Sequence, residues 1–271
     1  MRNSLIALGL LMAGIFPVSP LLAQTAARPR AGAARTIPDL SSVWEVPYVQ
    51  TRKDICGEGA CTALLGAPPP PRGITLEEPQ MLPWAEEKYK VSRECLQNPN
   101  ANGREEADPW FSACTPNSPV ETMFNPFVAV ELRQFPHVVL LLLRDDHAVR
   151  RIYVDGRGHP AGWKPTWMGH SIGRYDGDTL IVDTIGIKGN RWLDGQGHPH
   201  SEALHLVERI RRVDQKSLEY EVTIEDPQAY QNSWRKKIVR ELAAPGAQFW
   251  DEVNCSELLQ MGTHYSAEAK K

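Results

Sequence analysis

Residues 165–208 read PTWMGHSIGRYDGDTLIVDTIGIKGNRWLDGQGHPHSEALHLVE, and the fold turns on how this stretch pairs with itself. Tyr175-Asp176-Gly177-Asp178 sets Asp-Gly between two half-apolar runs, the sequence mark of a two-residue type I′ reversal. With Asp176 and Gly177 as the loop, Tyr175 faces Asp178, Arg174 faces Thr179, Ile172 faces Ile181 and His170 faces Asp183. Directly opposed Cβ atoms lie ~4.5–5.5 Å apart. The turn therefore predicts a His170–Asp183 dyad on one face of the sheet, turned toward the inside. A carboxylate at that range orients an imidazole and raises its pKa, as a general base requires. A structural cross-strand hydrogen bond is the alternative reading of the same pair.

A second hairpin is predicted over residues 204–224. Leu204, Leu206 and Ile210, then Leu218, Tyr220, Val222 and Ile224, recur with period two. An odd loop around Asp214-Gln215-Lys216 brings both sets to one face and opposes Arg211 to Glu219, Arg209 to Glu221 and His205 to Glu225 on the other. An even loop would mix the faces, so the odd register is chosen. It places Glu208 on the apolar face opposite Val222, with His200 and Glu202 at the same parity if the strand extends back. A carboxylate on such a face needs a partner or a function.

Strand patterns continue on either side, over 127–134, 137–144, 148–154, 234–242 and 249–253. The run 137–144 is Val- and Leu-rich without alternation, which predicts cover on both faces. The candidate covers are the core, the N-terminal segment, and a second copy of the chain in a homodimer. Nine or ten antiparallel strands in sequence predict an all-β, up-and-down barrel. Ahead of it, residues 51–115 hold a polyproline stretch at 68–71, unfit for a central strand, and a predicted helix over 83–96 with proline in its first turn. This segment is read as a lid or outer layer.

The opening MRNSLIALGLLMAGIFPVSPLLA has a basic tip, an apolar centre and a small residue at Ala23, which together predict a signal peptide over 1–23 and export to the periplasm or beyond. A disordered leader is expected over 24–37, one barrel domain over 38–260 and a flexible tail over 261–271. No later stretch is apolar enough to span a bilayer. Lys and Arg number 30 against 33 Asp and Glu, with no basic stripe, which argues against a nucleic-acid partner. In an oxidising compartment some of Cys56, Cys61, Cys95, Cys114 and Cys255 are expected to pair, Cys56 with Cys61 and Cys114 with Cys255 being two candidate pairings. Their spacings match no zinc site.

Ser42-Val43-Trp44 at the first strand resembles the Gly-x-Trp start of lipocalins, with Ser42 where that family has glycine. The resemblance implies a calycin-like barrel. DLSSVW, GHSIGRYDGDTLIVDT, WLDGQGHPHSEALHLVERIRR and TIEDPQAY together resemble a widespread group of exported bacterial proteins over roughly residues 38–257. That second resemblance implies no activity, so function has to come from the site.

Four of the eight histidines fall in residues 165–208. The leading expectation is cofactor-free proton transfer, of isomerase, lyase or hydratase type, on a small apolar or aromatic compound inside the barrel. His170 is the base, Asp183 its orienter, and His200 or Glu202 the acid. Arg174 holds an anionic group, and Glu208, Trp167, Trp192 and Tyr220 complete the substrate site. A non-catalytic carrier of a small hydrophobic ligand is the first alternative. The second is a divalent metal ion on His198, His200 and Glu202, which share strand parity. Of Arg150 and Arg151, one must face inward, and an internal ion pair is its expected partner. Trp44, Trp163, Trp167, Trp192 and Trp234 are read as lining a barrel mouth or plugging a barrel end.

Overall fold

The computed structural model describes residues 37–46, 75–76, 79–97, 116–125, 129–143, 148–189 and 191–245. The expectations for the signal peptide, most of the leader, the polyproline stretch, the cysteine pairs, the strand at 249–253 and the tail lie outside the described residues.

Among the described residues ten strands form one sheet: β1 (Ser42–Glu45), β2 (Thr75–Leu76), β3 (Val130–Gln134), β4 (Val138–Leu143), β5 (Val149–Tyr153), β6 (His170–Asp176), β7 (Thr179–Ile185), β8 (His205–Arg212), β9 (Ser217–Glu225) and β10 (Trp234–Leu242). Their order is β1-β3-β4-β5-β6-β7-β8-β9-β10, and β1 closes the ring on β10 through Trp44↔Leu242. The short β2 adds to β10 further along, at Lys236↔Leu76. The fold is an all-β barrel, as the strand pattern predicts. It differs in one pairing: β5 and β6 run parallel, through Ile152↔Ser171 and Tyr153↔Ile172. The connection between them, residues 154–169, is long enough to carry the chain back before β6 begins.

Alternation along each strand decides what fills the barrel. Leu218, Tyr220, Val222 and Ile224 of β9 point in, with Leu206, Glu208 and Ile210 of β8, Leu180, Val182 and Thr184 of β7, and Trp234, Lys236, Ile238 and Arg240 of β10. The β8–β9 register is the predicted one, with His205↔Glu225, Arg209↔Glu221, Arg211↔Glu219 and Glu208↔Val222. On β4 the outward residues are half-buried, not covered. Its lack of alternation reflects apolar choice on both faces, with full burial on one.

The β6–β7 hairpin is present, but its loop is Gly177-Asp178, not Asp176-Gly177. Gly177 takes φ 63° as the first of the two loop residues, where a type II′ reversal puts its glycine. Every cross-strand pair moves by two positions. Ile172 now faces Asp183, and His170 faces Ile185. The inward face is Ser171 and Thr184, so His170, Ile172, Arg174 and Asp183 lie on the outer wall.

Two helices complete the described chain: α1 (Pro83–Gln97) and α2 (Pro119–Phe124). The sequence pattern assigns no helix to 119–124, yet Pro119, Val120, Thr122, Met123 and Phe124 are all buried. Ser118 caps it, its hydroxyl accepting from the Glu121 amide (3.0 Å) and donating to the Leu193 carbonyl (2.6 Å). The buried Arg240 donates to the carbonyls of Thr122 (3.0 Å), Met123 (3.1 Å) and Asn125 (3.3 Å). A cation at the carbonyl end of a helix satisfies acceptors with no partner inside the helix. By contrast α1 lies outside, as predicted for residues 83–96, and only Ala85 and Ser92 are buried among its described side chains.

Inside the barrel the inward arginine is Arg150, and its partner is Glu208. Nη1 donates to Oε1 (2.8 Å) and Nη2 to Oε2. Tyr220 donates to the same carboxylate (2.7 Å), Thr184 does so too (3.1 Å), and Ser171 bonds both Arg150 and Thr184. Burial opposes the charge on Arg150, but Glu208 outweighs it and raises the guanidinium pKa. Burial, then Glu208, pushes the Tyr220 phenol well up. The network satisfies the carboxylate that the alternation places on an apolar face.

Candidate functional site

The acid–imidazole cluster forms on the outer wall, at the end of the barrel where β6 and β8 begin. His170 and Asp183 do not touch. His159, from the β5–β6 connection, stands between them: its Nδ1 shares a hydrogen bond with His170 Nδ1 (2.8 Å), and its Nε2 donates to Asp183 Oδ1 (2.9 Å). On the other side His205 donates to Asp183 (3.1 Å) and to Glu225 (2.8 Å). Both its nitrogens meet carboxylates, an arrangement that favours the imidazolium form. Burial works against that charge, but the bonds to Glu225 and Asp183 prevail and raise its pKa. His170 goes the other way. It is shut in by Tyr153, His159 and Trp163, and burial, with His159 and Arg157 nearby, lowers its pKa. Trp163 can lie there because residue 186 is glycine: a Cβ would stand 2.6 Å from its ring, and the backbone has φ 67°. An inward dyad with a raised His170 pKa is thus replaced by an outer chain of five titratable groups, in which the His170 pKa is lowered.

The second cluster is built by the β7–β8 connection, described over residues 186–189 and 191–204, which folds against α1, α2 and β10. Asp194 accepts from His198 Nδ1 (2.9 Å) and from Lys236 (2.5 Å). Burial would raise its pKa, but His198 and Lys236 hold it far below the usual carboxylate range. Tyr89 of α1 stacks on His198 at 4.5 Å and 9°. Arg191 donates to Asn117 and to Glu121 (3.1 Å), tying the connection to α2.

His200 sits beside this frame. It is 2% exposed, and its Nδ1 donates to the Ser201 carbonyl (2.9 Å). Burial lowers its pKa, and the Ser201 bond and Asp226 only partly oppose that, so the ring is neutral with a lone pair on Nε2. That nitrogen has no hydrogen-bond partner among the described residues. Two adjoining hollows of about 540 and 570 Å³ separate α1 from the connection, and Trp84, Lys88, Gly189 and His200 belong to both. Lys188 and Glu202 add to the first, Val91, Arg191 and Trp192 to the second.

The other predicted site residues are dispersed. Arg174 is exposed on the outer wall opposite Ile181, and so anchors nothing inside. Glu208 and Tyr220 are inside but committed to Arg150. Trp167 holds Lys188 over its ring at 4.4 Å. Trp192 lines the cleft, while Trp44 and Trp234 are core. The metal alternative needs His198, His200 and Glu202 to converge. His198 is turned to Asp194 and Tyr89, Glu202 is exposed, and no group of three or more His, Cys, Asp or Glu that could hold a metal ion occurs among the described residues. No described helix is long and apolar enough to cross a membrane.

Of the predicted site, then, His200, Glu202 and Trp192 come together at the cleft, and His170 and Asp183 belong to a separate surface chain. Sequence reasoning misses His159, Trp84, Lys88 and Lys188. His159 carries no local signal because only the parallel β5–β6 pair returns its loop to β7. Trp84 and Lys88 are visible as one helix face, but the surface they meet is not. Comparison of the chain with protein-family models, curated proteins and solved structures finds no match.

Proposed function

We propose that the protein is an exported small-molecule-binding protein whose ligand lies between α1 and the 186–204 connection, with neutral His200 at the base of the site. One observation carries this reading: His200, a residue of the wall of both hollows, is buried with Nδ1 committed and Nε2 unmatched among the described residues. A buried acceptor left unpaired costs roughly 1–3 kcal/mol, and a ligand donor would remove that cost. Nε2 is closed to water, so the reading includes an opening of α1 that admits the ligand. The few buried residues of α1 make it the part of the described chain best suited to open. The barrel axis itself is filled by Trp44, Met123, Tyr220 and the Arg150–Glu208 network, which speaks for the cleft over the interior. Export rests on the basic, then apolar, opening of the sequence.

The same site favours proton transfer as a second reading. A neutral imidazole with a free lone pair is an available base, Glu202 is a second titratable group in the wall, and Lys88 and Lys188 would steady developing negative charge. Thermal-shift and calorimetric screening of aromatic acids, terpenes and sterols, on the wild type and on His200→Leu and Trp84→Ala, tests the reading. Ligands are expected that raise the Tm of the wild type and lose at least tenfold in affinity in both variants. Binding indifferent to both substitutions would remove the cleft from consideration.

A further inference from the structure

Resting on the cleft reading above, we infer that the ligand is a hydroxy-substituted aromatic carboxylate, bound through its carboxylate to Lys88 and Lys188 and through its hydroxyl to His200 Nε2. Three features of the cleft select that class. First, Lys88 comes from α1 and Lys188 from the chain just after β7, so two lysines line one hollow from opposite walls. Neither has a carboxylate partner among the described residues, whereas Lys90, Lys236 and Lys237 all have one. Glu202 is the carboxylate in that hollow, which leaves an excess of one positive charge with His200 neutral. Lys88 lies 5.7 Å from the Trp84 ring centroid and Lys188 lies 4.4 Å from that of Trp167, so each ammonium is steadied by an indole face.

Second, the neutral His200 ring has its proton on Nδ1, fixed there by the Ser201 carbonyl. Nε2 is an acceptor only, and it answers a hydroxyl or N–H and rejects a second carboxylate or a carbonyl. A hydroxyl satisfies it without introducing a third cation beside the two lysines. Third, the adjoining hollow presents Trp84, Val91 and Trp192, flat and apolar surfaces that suit an aromatic body.

The test is calorimetric titration of the full chain, as exported, with 4-hydroxybenzoate and 4-hydroxycinnamate, their deoxy analogues benzoate and cinnamate, and the methyl esters of the two hydroxy acids. At least one hydroxy acid is expected to bind the wild type, its deoxy analogue roughly tenfold more weakly for want of one hydrogen bond. The ester should be weaker still and lose the salt dependence of the acid. His200→Leu should erase the difference between hydroxy and deoxy acids and keep the preference for acid over ester. Lys88→Gln combined with Lys188→Gln should do the reverse. A deoxy acid or an ester that equals its parent in the wild type overturns the assignment. If other compounds bind and depend on Trp84 while no hydroxy acid does, the ligand class falls and the cleft reading stands. If no compound in either screen depends on Trp84 or His200, both fall together.

Discussion

Replacing Glu208 by Gln tests the Arg150–Glu208 ion pair inside the barrel. The carboxylate accepts from Arg150 twice, from Tyr220 at 2.7 Å and from Thr184 at 3.1 Å, with Glu208 and Arg150 both at most 2% exposed. An amide of the same shape keeps one oxygen but turns an NH₂ toward donors, and it leaves the guanidinium buried with no countercharge. Breaking a buried pair on one side costs about 3–5 kcal/mol. At ~2–4 °C per kcal/mol for a domain of this size, the Tm should fall by roughly 6–20 °C. Removing both charges is a different perturbation. Arg150→Met with Glu208→Leu should recover most of the loss, since hydrophobic replacement of a buried pair is commonly neutral or stabilising. Urea denaturation of the wild type, Arg150→Met, Glu208→Leu and the double variant closes the cycle, with Glu208→Gln measured beside it. A Glu208→Gln protein within ~1 kcal/mol of the wild type would refute the reasoning, because the carboxylate would then not be holding Arg150 in place.

The pH profile follows from three histidines. His170 and His200 have lowered pKa values, so protonation favours the unfolded chain, and the stability present above about pH 6.5 falls as the pH drops. His205 has a raised value; its contribution is complete below about pH 6.5 and fades as pH rises through the raised value. Tm measured from pH 8 to pH 5 should therefore decline less steeply on the acid side in His200→Phe, and an unchanged slope would count against a neutral His200. Gly186→Ala should cost about 1–3 kcal/mol, because it forces a positive φ on alanine and drives a methyl group into Trp163. Loss of near-ultraviolet dichroism from Trp163 and a rise in the His170 pKa by NMR would check it. Arg240→Met should destabilise by roughly 2–4 kcal/mol through the orphaned carbonyls of α2, with hydrogen exchange fastest at 119–125.

The sequence and the structure agree where side-chain alternation constrains both faces of a hairpin. In β8–β9, charged pairs on one face and apolar residues on the other admit a single register, and that register is present. In β6–β7 neither condition holds. Residues 180–182 are apolar at every position, so parity does not say which face is inward, and Asp-Gly-Asp offers glycine to either of two loops. What settles it is long-range: Arg150 enters from β5 and needs Ser171, Thr184 and Glu208 around it, which turns His170 and Asp183 outward. Glu208 is legible as a buried carboxylate from alternation alone; its partner is legible only as one of two neighbouring arginines. The cleft brings together residues about one hundred positions apart, Trp84 and Lys88 on one side and Lys188 and His200 on the other, and local pattern carries no record of that. The five-residue chain from Glu225 to His170 is hidden likewise, since His159 joins it through a parallel pairing two residues long.

The proposal stands most directly on the state of His200. Nitrogen-15 NMR of the side-chain imidazoles at neutral pH, with His200 assigned through His200→Phe, reads the tautomer and its response to a hydroxy acid in one titration. The expected spectrum has a protonated Nδ1 and an unprotonated Nε2 in the free protein, with the Nε2 resonance shifting as the acid saturates the cleft. A His200 already protonated without ligand, or an Nε2 resonance that stays fixed while the acid binds, would contradict it.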